Sequence, residues 1–175
     1  MPTPTPYLPS LTIDVVIAAL GAFLQPFIGT DTPIIRAQEN RVPPPGVAGY
    51  VELTEILQVL LETPIDIGNG ANSQTDITGP KRIDIQIDFR GPSAGDWCTA
   101  VETIFRSPYA VAQFASAPGI TPLYCSDGHQ VPLTTGEQQY ETRWTVTASL
   151  QYNPTVSVPQ QSATALRVDV IEGLP

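Results

Sequence analysis

Few side chains in this sequence could perform catalysis, and they do not form a recognised pattern. His129 is the only histidine, and its spacing identifies no nucleophile or metal ligand as a partner. Asp84 and Asp88 fall on one face of a predicted strand, where two carboxylates could work as an acid and a base. The same face also carries Arg82, Gln86 and Arg90. We therefore interpret this face as a salt-bridged polar surface, and His129 as an ordinary surface residue.

The two cysteines and the glycine-rich stretch also lack the spacing of known sites. Cys98 and Cys125 are too few for a disulfide framework and do not have zinc-site spacing, so each is predicted to be a small buried residue. The stretch 91–95 is neither a phosphate-binding loop nor a nucleophile elbow. The sequence thus predicts no catalytic residue, no cofactor, no metal and no enzyme. A small enzyme or sugar-binding module, with a cleft around the acids of the strand face and Glu141, is the alternative from another class.

The charge of the chain argues against a nucleic-acid-binding protein. The formal net charge is -9, from 17 acidic and 8 basic residues, and Lys81 is the only lysine. Affinity for phosphate requires clustered lysine and arginine, so we expect no specific DNA binding. An acidic wall along a DNA passage is compatible with this charge, because repulsion would keep the duplex from adhering. A role in solubility alone is the alternative.

The apolar runs are too short to cross a membrane. The first residues, Met1–Pro6, lack the basic region of a signal peptide. We therefore expect a soluble protein that is made in the cytoplasm and has no membrane partner.

A first helix is predicted from about Leu11 to Phe27, with Ser10 or Thr12 as its cap. Its large apolar residues recur at helical spacing and form one stripe. The opposite face carries small uncharged residues, including Ala18 and Ala22, although a solvated helix face normally carries charges. Ala18 and Ala22 are therefore candidates for a subunit contact. Cover by another part of the same chain is the alternative.

The other predicted elements are mostly strands. Strands are expected near Ile34–Gln38, Tyr50–Leu53, Arg82–Arg90, Tyr140–Tyr152 and Thr164–Ile171, with helices from Ser93 and over Ala110–Ala115. Glu55 falls on the apolar parity of the run Val51–Thr63, which predicts a bulge or a break there. The stretch Gly68–Gln74 is typical of a hairpin loop. The alternating run Tyr140–Tyr152 exceeds the usual strand length, so we expect it to overhang its sheet.

Proline residues number 19 and cluster at the N-terminus and at Pro43–Pro45. Such segments are stiff, extended and poor in hydrogen-bond donors. We predict an extended Pro-rich N-terminal arm over residues 1–10 and a single α+β domain over residues 11–175. The predicted fold class is α+β, a mainly antiparallel β-sheet with two helices packed on one face.

Two polar clusters are further candidates for a subunit interface. They comprise Arg36, Gln38, Asn40 and Arg41, just before the rigid proline turn, and Glu137 and Gln138. Hydrogen bonds that fix a locally satisfied turn are the alternative for both clusters.

Several stretches resemble the neck terminator, or tail terminator, proteins of contractile-tailed bacteriophages. They are ALGAFL at 19–24, RAQENRVP at 36–43, IQIDFRGPSAGD at 85–96, GEQQYETRW at 136–144 and LQYNP at 150–154. The resemblance extends from about Leu11 to Ala165, nearly the whole chain. The Pro-rich N-terminal arm is longer than expected for the family, so contacts are not transferred to Met1–Pro9.

The resemblance implies a hexameric ring of identical subunits that caps the tail tube. Such a ring would end tail polymerisation, contact the tail-tube protein and offer a docking surface to the neck or connector protein, with the sheath protein as a further possible partner. DNA would pass through the lumen without specific binding, and the protein would lie at the tail–neck junction of the virion. A head-completion, connector or tail-tube protein is the alternative within this class.

Overall fold

The computed structural model of the protein describes residues 6–38, 49–70, 73–134 and 140–160. Its helices are α1 (Ile13–Ile28), α2 (Ala94–Phe105) and α3 (Pro108–Phe114). Its strands are β1 (Ile34–Arg36), β2 (Tyr50–Leu60), β3 (Ile65–Asn69), β4 (Gln74–Thr78), β5 (Lys81–Arg90), β6 (Ile120–Cys125), β7 (His129–Gln130), β8 (Leu133–Thr134), β9 (Tyr140–Glu141), β10 (Arg143–Tyr152) and β11 (Thr155–Pro159). The predicted α+β class is confirmed, and α3 corresponds to the short helix expected at 110–115.

The main sheet has the strand order β1-β2-β5-β10-β6, and β7 also pairs with β10. Strand β1 runs parallel to β2, and the other pairs are antiparallel. The apolar face predicted for β5 is observed, because Ile83, Ile85, Ile87 and Phe89 are all fully buried. Asp84 and Asp88 of the other face are also buried, so burial does not alternate along this strand. The apolar side chains form the floor of the core on which the helices pack.

The core between helices and sheet is rich in aromatic side chains. The ring of Phe23 on α1 lies with its centroid 5.3 Å from that of Phe27, 5.6 Å from Phe105 and 5.2 Å from Phe114. Offset and edge-to-face pairs of this kind stabilise a core beyond the area they bury. The apolar stripe predicted for the first helix thus includes Phe23, which contacts both of the other helices.

The predicted bulge in β2 is confirmed. The register against β5 shifts between Glu55, which lies opposite Ile85, and Leu57, which lies opposite Asp84. Because the side-chain period of a strand is two, one extra residue transfers every later side chain to the other face. Leu57 and Val59 therefore share the face of Asp84, and they are 46% and 37% exposed.

A small sheet with the order β11-β4-β3 continues the main sheet. Each of its strands is continuous in the chain with a strand of the main sheet, and a proline lies at each break. Pro64 lies between β2 and β3, Pro80 between β4 and β5, and Pro154 between β10 and β11. Proline lacks the N–H that a central ladder needs, so these residues separate the two sheets. A cavity of about 520 Å³ lies between the small sheet and the start of α1, lined mainly by apolar side chains such as Leu11, Leu60 and Val156.

The predicted overlong strand Tyr140–Tyr152 is wrong. It divides at Thr142, because β9 pairs with β8 whereas β10 pairs with β5. Strand β10 is matched to β5 along its whole length, from Arg143 opposite Arg90 to Tyr152 opposite Lys81, so it does not overhang. The alternation of apolar and polar residues continues through this change of pairing partner, so the sequence pattern does not show where one strand ends and the next begins.

The expected helix caps are also not formed. Thr12 and Ser93 occupy the N-cap positions of α1 and α2 without a side-chain capping bond. Ser10 instead anchors the N-terminal segment: its N–H donates to the Thr155 carbonyl at 2.8 Å, and its hydroxyl accepts from the Thr155 N–H at 3.1 Å. The strand predicted at Thr164–Ile171 and the first five residues of the arm lie outside the described residues.

Candidate subunit interface

Three of the predicted interface residues lie around one groove. The groove has a volume of about 350 Å³ and separates α1 from β1; Ala18 and Ala22 line its helix side and Arg36 its strand side. Ala18 and Ala22 are exposed, as their position on the uncharged face of the helix predicts. We call this surface the α1–β1 groove. Its small residues leave room for side chains from outside the described fold.

The parallel pairing of β1 with β2 creates the groove. Ile34 and Ile35 of β1 lie opposite Val51 and Glu52, which places β1 at the edge of the sheet beside the helix. Arg36 ends the strand and forms an ion pair with Asp14 of α1 across the outer end of the groove. Because the two side chains are 38% and 77% exposed, this ion pair adds little stability.

Gln38 lies beside Arg36 along a second, polar hollow of about 290 Å³. Its backbone adopts a positive φ of 63°, and the residue before it, Ala37, donates its N–H to the Leu53 carbonyl at 2.9 Å. Asn40, Arg41, Glu137 and Gln138 lie outside the described residues. Their role in an interface stays a prediction.

Sequence reasoning missed a second surface, on α3 and β6. Every residue from Ser107 to Ser126 is uncharged, although 14% of the whole chain is charged. Large side chains of this segment are nevertheless exposed: Tyr109 is 48% exposed, Val111 54%, Leu123 42% and Tyr124 49%. We call it the α3–β6 surface. The absence of charge over so long a segment was the signal that could have revealed it.

An aliphatic band forms a third exposed surface that the sequence pattern did not reveal. It comprises Ile56, Leu57, Val59, Leu60, Leu61, Ile65 and Ile67 at the end of β2 and on β3. Each of these side chains is between 37% and 60% exposed. Because successive side chains of a strand point to opposite faces, these residues are exposed on both faces of this end of the sheet.

The polar face of the main sheet is built around Asp88, which is 2% exposed. Its carboxylate accepts hydrogen bonds from Arg143 Nε at 3.1 Å, from Arg143 Nη2 at 2.7 Å and from the Thr145 hydroxyl at 2.6 Å. Gln86 Nε2 donates a further bond at 2.9 Å. Burial by itself raises the pKa of Asp88, but these donors outweigh it, so the pKa is lowered from its usual value. Asp88 is therefore a fixed anion rather than a proton donor near neutral pH.

The remaining charges of this face are paired as well. Arg90 contacts Glu52 at 2.7 Å and Glu141 at 3.4 Å, and Arg82 contacts Asp84 at 3.2 Å. The predicted salt-bridged surface is thus confirmed for Asp84 and Asp88. Asp88 and Glu141 each contact an arginine of a different strand. Asp84 contacts Arg82 of its own strand and accepts a hydrogen bond from the Ser149 hydroxyl at 2.6 Å.

The remaining candidates for chemistry are two buried cysteines and an exposed histidine. Burial raises the pKa of Cys98 to about 11 and that of Cys125 to about 12. His129 is exposed on the short strand β7. Among the residues that the structure describes, no group of three or more histidine, cysteine or acidic side chains could hold a metal ion. In the same part of the chain, no helix is both long and apolar enough to span a bilayer.

These features define an α+β protein whose uncharged exposed surfaces are suited to assembly with other proteins. The family model for phage neck terminator proteins matches residues 14–173. The chain belongs to this family, and membership assigns it a structural, tail-terminating role in a phage.

Among solved structures, the chain is similar to the sheath/tube terminator of an extracellular contractile injection system, PVC, in its extended state. The two sequences are 14% identical, with a TM-score of 0.43, and the match covers 95% of this chain and 66% of the other. No curated protein matches the chain.

Proposed function

We propose that this protein forms a ring that caps the phage tail tube. Capping ends polymerisation of the tube and leaves a surface on which the neck or connector protein of the head docks. The ring is a homo-hexamer that contacts the tail-tube protein, and its lumen lets DNA pass without specific binding. The subunit is not an enzyme, needs no cofactor, assembles in the host cytoplasm and resides at the tail–neck junction of the virion.

One observation supports this proposal above all: this member of the neck terminator family exposes two surfaces with little or no charge on the two sides of α1. The α1–β1 groove, in which Arg36 is the only charged lining residue, lies on one side. The α3–β6 surface, which has no charged residue, lies beyond the other side, where α3 contacts α1. A closed ring requires two different complementary patches on each subunit, because each copy contacts its neighbours through unlike faces.

The paired charges of the sheet support passive passage of DNA. Arg90 and Arg143 are each hydrogen-bonded to a carboxylate, and Arg82 Nε lies 3.2 Å from the Asp84 carboxylate. A guanidinium that is held by a carboxylate is not available for the phosphate contacts that produce DNA affinity. The excess of acidic residues in the chain favours the same outcome.

Electron microscopy of the purified protein with preformed tail tubes tests the function directly. We expect six-fold rings on tube ends and no stacks of rings. Stacks that grow without limit would instead identify a tube subunit. The persistence of monomers in the presence of tubes would refute the proposal.

Deletion of the gene separates a terminator from a head-side neck protein. We expect heads that package DNA normally and tails of abnormal length, because nothing then stops tube growth. Tails of normal length that fail to join heads would show that the protein acts on the connector side.

A further inference from the structure

We propose that adjacent copies of this chain join through the α3–β6 surface of one copy and the α1–β1 groove of the next, with Val111 of α3 placed in the groove. The inference rests on the proposed ring and identifies the surfaces that close it.

The two surfaces lie at opposite edges of the main sheet. Strand β1, which forms one wall of the groove, is the first strand in the sheet order, and β6, on which α3 packs, is the last of that order. Four inter-strand spacings separate them, a distance of about 19 Å. Patches at opposite edges suit a head-to-tail contact, because the second patch of each subunit then points toward the next neighbour.

The strand directions are compatible with this arrangement. Strand β1 is parallel to β2, and the successive pairs β2–β5, β5–β10 and β10–β6 are antiparallel, so β6 runs opposite to β1. Copies related by rotation about a ring axis therefore bring β6 beside β1 in the antiparallel sense. Exposed edge strands carry unpaired N–H and carbonyl groups that favour such an approach.

The groove has room for a side chain of the next copy. It is lined by Ala18, Gly21 and Ala22, whose short side chains leave a volume of about 350 Å³. Helix α3 packs against the core through buried Ala110 and Phe114, and the Tyr109 ring contacts Phe27 of α1 on one side of it. Val111, which is two residues from Tyr109, projects from the opposite side of α3, away from α1, and is 54% exposed.

The charge pattern favours a second copy over a charged partner. Helix α1 carries no charge from Val15 onward, and α3 carries none at all. Charged residues are depleted at interface cores and occur at the rim. The charges at the groove, Arg36 and Asp14, form an ion pair with each other.

Crosslinking of two single-cysteine variants tests the contact. Ala18→Cys and Val111→Cys proteins are assembled into mixed rings, checked by electron microscopy, and treated with a short bismaleimide. We expect a crosslinked dimer in the mixture and none in either variant alone, because unlike surfaces meet. The native Cys98 and Cys125 are each 2% exposed, so they do not react in the folded protein. A mixture of Val111→Cys with Thr99→Cys, on the exposed side of α2, is the matched control and should yield no dimer.

A tryptophan in the groove provides the second measurement. Ala18→Trp is expected to weaken ring formation about tenfold or more, because overpacking costs about 1–3 kcal/mol. The thermal midpoint of the monomer should not change, since Ala18 is exposed. Thr99→Trp should form rings normally. Rings without a crosslink in the mixture, or a dimer in one variant alone, would overturn this contact while the proposed function stands. If the unmodified protein forms no ring even with tube ends, the proposed function fails and the contact fails with it.

Discussion

Asp88→Asn tests whether the polar face of the sheet stabilises the fold. The carboxylate of Asp88 accepts two bonds from Arg143 and one each from Thr145 and Gln86. An asparagine has nearly the same shape, but its NH2 group would face these donors and could not accept from them. The guanidinium of Arg143 would also lose its counter-charge. This loss is costly because the side chain of Arg143 is only 21% exposed.

The expected loss can be estimated from these contacts. A hydrogen bond to a charged group contributes about 1.5–3 kcal/mol, and removal of one partner of a buried ion pair costs about 3–5 kcal/mol. Because Arg143 keeps some access to water, we expect the free energy of unfolding to fall by about 3 kcal/mol. Equilibrium urea unfolding at neutral pH measures this loss. Asp66→Asn, on the exposed strand β3, is the control and should change stability by less than about 0.5 kcal/mol.

The pH dependence provides a stricter form of the same test. The pKa of Asp88 in the folded protein lies below its usual value. Its stabilising contribution is therefore present above the pKa of the unfolded chain, about 3.9, and is lost as the pH falls through the lower folded pKa. Wild type and Asp88→Asn should differ most near neutral pH and converge near the acid limit. A loss below about 1 kcal/mol, or a difference that does not change down to pH of about 2, would refute the reasoning.

Three further predictions address the core. Gly128→Ala should lower the thermal midpoint, because a Cβ there would lie 2.4 Å from Cys98 Sγ, whereas Gly70→Ala should not, because no heavy atom lies within 4 Å of its Cβ position. Phe23→Ala should reduce the free energy of unfolding by about 3–5 kcal/mol in urea titrations, since its ring packs on three others; a loss under about 1 kcal/mol would contradict the packing. Cys98 and Cys125 should react with a thiol reagent at neutral pH only after unfolding, because burial raises their pKa values to about 11 and about 12; rapid labelling of the native protein would count against their burial.

The sequence predicted the elements whose side chains repeat with one strong period. The alternation of β5 and the apolar stripe of α1 both define a buried face before any contact is known. The misplaced Glu55 indicated where the pairing of β2 becomes irregular, because a carboxylate on an apolar face is costly. Glu55 itself stays opposite Ile85, where Gln58 donates a hydrogen bond to it, and the register shift follows it. Ala18, Ala22 and Arg36 were singled out for separate reasons, and the structure shows that they share one groove.

Other features depend on partners that are distant in the chain. The run Tyr140–Tyr152 alternates without interruption, yet it divides where its pairing partner changes from β8 to β5. Nothing in the sequence distinguishes Asp88 from the other acids of the chain. Its carboxylate is hydrogen-bonded by Arg143 and Thr145, which belong to another strand. Neither outcome follows from local periodicity.

The amino-acid sequence is sufficient to predict the α+β class, the buried faces of the long elements and the scarcity of groups able to perform chemistry. These properties follow from residue type and spacing, which act locally along the chain. The folded structure is needed to show which small residues form a groove, which acids contact arginines, and where apolar side chains stay exposed. The physical reason is that strand order and register, set by the whole core, determine which distant side chains meet.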